Sequence, residues 1–314
     1  MKPLVSVILP TIRPVPRWKL MLDSLEQQVF RDFEYIVVDG LYDKRKDEVQ
    51  KLFKGYSFPI VYVKDKSWFH SEEENVNTRP GPSSARNTGI IHARGELLVF
   101  HDDNTWLPPN WLSRHIQAFN LGFDGMAGLS HGTHELSFID KCPSCAKPEQ
   151  QTIQLEGLNL TKDYREGYDR DKFVVLDKDT GKIIETYNIL PIGWLYSCNM
   201  SIRTEAILNI NGFPEEFCGQ MGSEDSFASV CLQRLGAKLV LDKKSYVIHI
   251  SDEHHISFND MFKFTNKEVM LKDGKMHFSN EKYVEDLIFK EVNRYRNNPH
   301  LNLREMREQK LMEN

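Results

Sequence analysis

Short apolar runs alternate with helix-spaced stretches over the first sixty residues, and this alternation constrains the fold more than any other feature. Leu4 to Leu9 is a β-branched run ended by Pro10-Thr11. Trp18 to Gln28 carries apolar residues at 18, 21, 22 and 25, the spacing of one helical face. Phe33 to Val38 forms a second apolar run that stops at Asp39-Gly40; Asp47 to Phe53 is a short helix, and Ile60 to Val63 a third strand. Such a βαβαβ opening predicts a parallel, right-handed, doubly wound half-sheet. Ligands of these sheets bind where the strands end, and nucleotides are the commonest. No G-x-G-x-x-G follows the first strand and no G-x-x-x-x-G-K-[ST] occurs anywhere, which weakens the dinucleotide and P-loop readings.

The next apolar run, Leu97 to Phe100, stops abruptly at Asp102-Asp103-Asn104, and Pro108-Pro109 then suits a helix start. Two adjacent carboxylates repel each other, so a positive charge beside them relieves the pair. At the carboxyl end of a buried strand, a divalent cation carrying a phosphate meets that need, because Mg²⁺ and Mn²⁺ prefer oxygen ligands. A surface turn capping the next helix explains the same residues in isolation. Upstream, Gly81-Pro82-Ser83-Ser84 opens a helix that Ser83 or Ser84 would cap, continuing from Ala85 to Ala93. Arg86 and Asn87 fall in its first turns, where free N–H groups and the dipole favour anions.

The composition narrows the function classes. A chain of 314 residues with 40% hydrophobic content can build one large α/β domain plus an extension. A formal net charge of −5 gives no global attraction to nucleic acid or an anionic membrane. No apolar run is long enough to span a bilayer, the amino terminus enters a strand pattern without an export signal, and the five cysteines are an odd number. These features predict a reducing, cytoplasmic setting.

Residues 131 to about 190 change character. They are polar, carry Cys142-Pro143-Ser144-Cys145, and end in two alternating runs, Lys172 to Leu176 and Ile183 to Tyr187, with Asp179-Thr180-Gly181 between them. The alternation predicts a hairpin within an insertion that shapes an acceptor site. One C-x-x-C is half a zinc site, and no second pair stands at a usual spacing. From 191 the order returns, with a helix from Thr204, a turn at Asn211-Gly212-Phe213-Pro214, and an acid-rich helix start at Gly222-Ser223-Glu224-Asp225 where Ser223 would cap. Two strands, Lys238 to Leu241 and Tyr246 to Ile250, follow, and from Ile256 the pattern is helical and heavily charged. The division is thus 1–250 for the main domain, with 131–190 inserted, and 251–314 for a helical extension.

In order, these pieces resemble the inverting glycosyltransferases of family 2, over roughly residues 4–130 and 191–250. Val5 to Thr11 is similar to that family's first nucleotide-binding strand, and Phe33 to Gly40 to its second, whose Asp contacts the nucleobase or ribose. Gly81 with Ala85-Arg86-Asn87 and Gly89 resembles the G-x-x-x-A-R-N-x-G helix. Asp102-Asp103-Asn104 stands at the D-x-D-type metal motif, and Gly222 to Asp225 at the later acidic motif that supplies the base. One departure is Asp39-Gly40-Leu41-Tyr42, where the family often has Asp-Asp-Gly-Ser; this leaves the nucleotide base open.

The resemblance implies the GT-A fold, a Rossmann-like, mostly parallel sheet flanked by helices. It also implies transfer from a nucleoside-diphosphate sugar, a UDP-sugar first, with Mn²⁺ or Mg²⁺. Donor contacts would come from Pro10, Thr11, Asp39, Arg86, Asn87 and Asp102. Asp103 would ligate the metal directly with His249 as a further ligand, and Asp225 would be the general base with Glu224 in reserve. In-line displacement with a base and no protein nucleophile inverts the anomeric centre. A glycan, lipid carrier, protein or modified nucleobase would each serve as acceptor, and a homo-oligomer is allowed. Two other readings compete: a non-catalytic nucleotide- or glycan-binding module of the same fold, and a sugar nucleotidyltransferase. The second normally carries a Gly-rich loop after the first strand, where this chain has Pro10-Thr11-Ile12-Arg13-Pro14.

Overall fold

The computed structural model describes residues 2–13, 16–66, 81–133, 160, 162–215, 224–250, 269–272, 275–278 and 302–313. The βαβαβ opening is present: β1 (Val5–Thr11), α1 (Trp18–Glu26), β2 (Phe33–Asp39), α2 (Tyr42–Phe53) and β3 (Ile60–Lys64). Then come α3 (Pro82–His92), β4 (Leu97–His101), the two-residue β5 (Thr105–Trp106), α4 (Trp111–Asn120) and β6 (Gly125–Thr133). After a 3₁₀ turn at Tyr164–Gly167 follow β7 (Lys172–Leu176), β8 (Ile183–Ile189), β9 (Asn199–Arg203), α5 (Thr204–Asn209), α6 (Glu224–Arg234) and β10 (Leu239–Ile250). Beyond Ile250 the described residues form the hairpin β11 (Val269–Lys272) and β12 (Lys275–Phe278) and the helix α7 (Leu303–Met312). The sequence from Ile256 onward reads as helical, and the hairpin departs from that reading.

The central sheet runs β3-β2-β1-β4-β9-β6-β10-β8-β7, with β5 paired to β10. β3, β2, β1 and β4 are parallel; β9 runs antiparallel to both β4 and β6. Period-two alternation divides its core into two layers. Val5, Val7 and Leu9 of β1, with Val99 of β4, face Leu22 and Leu25 of α1 and Trp111 and Leu112 of α4. Ile8 and Phe100 face the opposite way, toward Ile90 of α3, Phe227 of α6 and Leu303 of α7. Both faces are covered, which is why these strands read as unbroken apolar runs. A Cβ on Gly89 would come within 2.4 Å of Ile8 Cγ2, so glycine lets α3 lie directly on β1.

This topology places the site. The connections through α1 and α2 carry the chain from β1 outward to β3, and β4 returns on the other side of β1. The switch point lies between the carboxyl ends of β1 and β4, where open α/β sheets bind their ligands.

Several local expectations need correction. Pro82, not a serine, opens α3, with Gly81 as N-cap and no side-chain cap. Ser84 lies inside the helix, where its hydroxyl donates to Asp65 Oδ1 at 2.7 Å. β10 is one strand rather than two, with a register irregularity between Asp242 and Tyr246. The predicted hairpin forms, but β8 pairs with β10, so it extends the central sheet at its edge. Cys142-Cys145 and Ser223 lie outside the described residues.

Candidate active site

Four acids, Asp102, Asp103, Glu224 and Asp225, and two arginines, Arg13 and Arg86, meet at the switch point. Asn104, just beyond β4, adopts a left-handed φ of 58°. Its side chain accepts from Arg17 N at 3.0 Å and its carbonyl from Ile250 N at 2.9 Å. This turn aims Asp102 and Asp103 in different directions. Asp103 points back to β1: Oδ2 accepts from the Thr11 hydroxyl at 2.9 Å and Oδ1 from Arg13 Nε at 3.1 Å. Its side chain is 15% exposed. Asp102 faces the other way, with 39% of its side chain accessible and its nearest cation, Arg86 Nη2, at 3.9 Å. Desolvation raises its carboxyl above the usual range, with Asp103 and Asp225 adding to the rise and Arg86 and His249 opposing it. Exposed as it is, water screens much of this perturbation.

Arg86 is not spread over an open cleft. It is buried and donates from Nη1 to Glu224 Oε1 at 2.5 Å, with its guanidinium 5.5 Å from the Phe213 ring centre. Burial works against its charge, but Glu224, Asp102 and Asp225 outweigh it and its pKa is raised. Glu224 is the partner of this buried pair, with side-chain exposure of only 4%. A carboxylate enclosed in this way is poorly placed to take a proton from an incoming hydroxyl.

Asp225, next in α6, has the opposite environment. It stays partly exposed and accepts from Ser197 N at 2.9 Å, Ser197 Oγ at 3.1 Å and Ser226 N at 2.7 Å. The structure therefore gives the two adjacent acids different surroundings, Glu224 in a buried pair and Asp225 partly exposed. Cys198, absent from the sequence reading, lies among Asp102, Asp225 and Arg165, and burial pushes its thiol up to about 12.

The remaining candidates divide. Thr11 bridges β1 to Asp103 as described, and Pro10 is partly exposed beside it. His249 is partly exposed on β10, opposite Thr105, and close enough for its charge to act on Asp102. Asp39 has no exposure. It takes a two-pronged bond from Arg45, both arms at 2.7 Å, and a further bond from the Tyr62 hydroxyl. Its structural role is to hold Arg45, whose Nη1 also donates to the Arg13 carbonyl at 2.7 Å. Asn87, expected to contact the donor, has its amide engaged within the protein. Its amide closes on the 211–215 turn, donating to Phe213 O and Glu215 Oε1 and accepting from Phe213 N, each at 2.8 Å. Gly212 has φ +81°, and a Cβ there would stand 2.3 Å from Asn87 Oδ1. Asn87 is therefore a bracket between α3 and this turn. Arg13, Arg45 and Ser197 were missed; the signal for Arg13 was a cation two residues beyond the end of a parallel strand.

Residues 6–137 match the sequence profile of glycosyl transferase family 2. This segment of the chain belongs to that family. The family 2 segment ends soon after the Asp102-Asp103 motif and stops short of Glu224-Asp225. Among curated relatives, the GalNAc(5)-diNAcBac-PP-undecaprenol beta-1,3-glucosyltransferase of Campylobacter jejuni is 32% identical over 127 residues, 40% of this chain and 38% of that protein. The validoxylamine A glucosyltransferase of Streptomyces hygroscopicus is 24% identical over 267 residues, 80% of this chain and 56% of that protein. This chain thus represents less than two thirds of either relative. Among solved structures, S. aureus TarS 1–349 with UDP-GlcNAc aligns with a TM-score of 0.54 at 19% identity, covering 91% of this chain and 66% of that one. The mannosyltransferase PcManGT from Pyrobaculum calidifontis, with GDP-Man and Mn²⁺, aligns at 0.52 and 15% identity, covering 99% and 75%. The fold is GT-A.

Proposed function

We propose that this protein is an inverting, metal-dependent glycosyltransferase that moves a sugar from a nucleoside-diphosphate sugar to an acceptor hydroxyl, with Asp225 as general base. One observation carries the reading: two partly exposed carboxylates, Asp102 and Asp225, flank a buried cation, Arg86, at the switch point of a nucleotide-type sheet. Family membership of residues 6–137 and the UDP-GlcNAc and GDP-Man complexes of the two structural neighbours support the donor class.

The donor set suits a hard divalent cation. Asp102 and His249 would hold it, with Asp103 joining when Arg13 moves to the diphosphate. No three His, Cys, Asp or Glu among the described residues are gathered to hold a metal alone, which fits an ion that completes its shell with substrate phosphates. When bound, it would neutralise charge on the departing diphosphate. Arg86 adds fixed positive charge there, and Arg13 adds a charge that can shift from Asp103 to the diphosphate. Asp39 acts on the nucleotide through Arg45. Asp225 takes the acceptor proton, and Ser197 and Ser226 hold the carboxylate in line so that little freedom is lost in the reaction.

The test is thermal unfolding with UDP-, GDP- and dTDP-sugars, with and without Mn²⁺. A donor that binds only the folded protein at a hundred times its Kd adds about 2.7 kcal/mol, so one donor should raise Tm, and only with metal. No response to any donor–metal pair would refute the reading, as would a product that keeps the donor's anomeric configuration.

A further inference from the structure

We infer that Tyr164, Trp194 and Tyr196 form a stacking platform beside Asp225 for a neutral pyranose ring, which makes the acceptor a glycan. This rests on the transferase reading above and names its second substrate.

The platform is built rather than incidental. Tyr164, in the 3₁₀ turn, is 56% exposed. It packs edge-on to Trp194 with ring centres 5.3 Å apart, and its hydroxyl bonds that of Tyr196 at 2.5 Å. Tyr168 meets Trp194 from another side at 5.3 Å. A buried arginine fixes the turn. Arg165 pairs with Asp163 and donates to Gly128 O at 2.8 Å and Trp194 O at 3.2 Å. Its guanidinium lies 4.8 Å from the centre of the Tyr196 ring. The rings are therefore ordered before any ligand arrives, which lowers the entropy cost of binding.

The platform adjoins the base through the backbone. Ser197, next to Tyr196, gives both its N–H and its hydroxyl to Asp225. Burial raises the Tyr196 hydroxyl, Tyr164 adds to it, and Asp225 is near enough to contribute. A ring stacked on these aromatics would thus present a hydroxyl toward Asp225.

The chemistry selects the ring. A pyranose offers a face of C–H groups, which suits an aromatic surface, and a rim of hydroxyls, which suits the phenol oxygens at its edge. Arg165, the cation that lies on the Tyr196 ring, is already paired with Asp163 and so offers little to an anionic acceptor.

The experiment is saturation-transfer NMR on the full chain with methyl β-glucopyranoside, methyl N-acetyl-β-glucosaminide and methyl α-mannopyranoside, using the matching alditols as ring-free controls. At least one pyranoside should receive saturation on the C–H protons of one face, and the alditols none. Tyr164→Ala should weaken that binding about tenfold, as loss of one ring-face contact implies. Tyr164→Phe should keep most of it, and both variants should keep the donor-induced rise in Tm. The inference is overturned if no pyranoside binds to protein that binds donor, if alditols bind equally, or if Tyr164→Ala binds as the wild type does. Loss of donor binding in the wild type is a different result, and refutes the transferase reading instead.

Discussion

Glu224 and Asp225 are adjacent in sequence, yet their environments predict opposite consequences when each is made neutral. Glu224→Gln preserves the shape and an oxygen for Arg86 but removes the charge from a pair whose side chains are 6% and 4% exposed. Removing one partner of a buried pair costs about 3–5 kcal/mol, because the other charge is left uncompensated. Asp102, 3.9 Å from Arg86, offers partial compensation, so the low end, about 3 kcal/mol, is expected. For a chain of 314 residues that is a fall of about 5 °C in Tm. Below the new Tm, transfer per folded molecule should drop less than about tenfold. Asp225→Asn should lose only about 1 kcal/mol from its hydrogen bonds to Ser197 and Ser226, while transfer falls by about 10²–10⁴, the usual contribution of a general base. Thermal unfolding and initial-rate transfer assays on both variants decide it. A Glu224→Gln protein that melts with the wild type but transfers no sugar would refute the argument and make Glu224 the base.

Two further outcomes follow from buried polar groups. His115 is fully buried, and its Nε2 donates to Asn199 Oδ1 at 3.1 Å while Nδ1 has no partner. Burial holds it down at about 3. The folded pKa is thus depressed below the ordinary 6.5 or so, and the unfolded chain binds the proton first as pH falls, which removes stability in that window. From pH 7 to pH 5 this one group should remove about 2 kcal/mol in urea unfolding, and His115→Gln should flatten the slope; a flat wild-type profile would contradict it. Asn87→Ala should cost about 3 kcal/mol by orphaning the Phe213 backbone groups and leave donor affinity unchanged. A loss of donor affinity at full stability would instead return Asn87 to the donor site.

The half-sheet was legible because burial on both faces writes itself into sequence as apolar runs of fixed length. The positions of Thr11, Asp102, Asp103 and Asp225 followed from motifs at strand and helix ends. What the sequence could not supply was direction. Asp102 and Asp103 are chemically identical neighbours, and only the left-handed backbone at Asn104 turns one to Arg13 and leaves the other partly in water. Asn87 lies in the same helical turn as Arg86, yet it faces a loop more than a hundred residues away, a partner that no local pattern encodes. The Tyr164–Gly167 turn was legible only as part of an insertion, because a buried arginine such as Arg165 has no sequence signature that separates it from a solvated one.

Arg86 shows why those missing directions matter for chemistry. An exposed arginine would bind a diphosphate in the ground state as well as in the transition state, and uniform binding does not raise kcat. A buried arginine shared between Glu224 and Asp102 is already compensated, and its guanidinium cannot reorganise freely. Charge that develops on a leaving diphosphate near Asp102 meets a field that is fixed beforehand, the condition under which electrostatic stabilisation is most effective. In the proposed reaction Glu224 would act by holding Arg86 in place and offsetting its buried charge, not by touching the substrate. The resemblance named both acids as candidates for the base, and the geometry assigns one of them to the arginine.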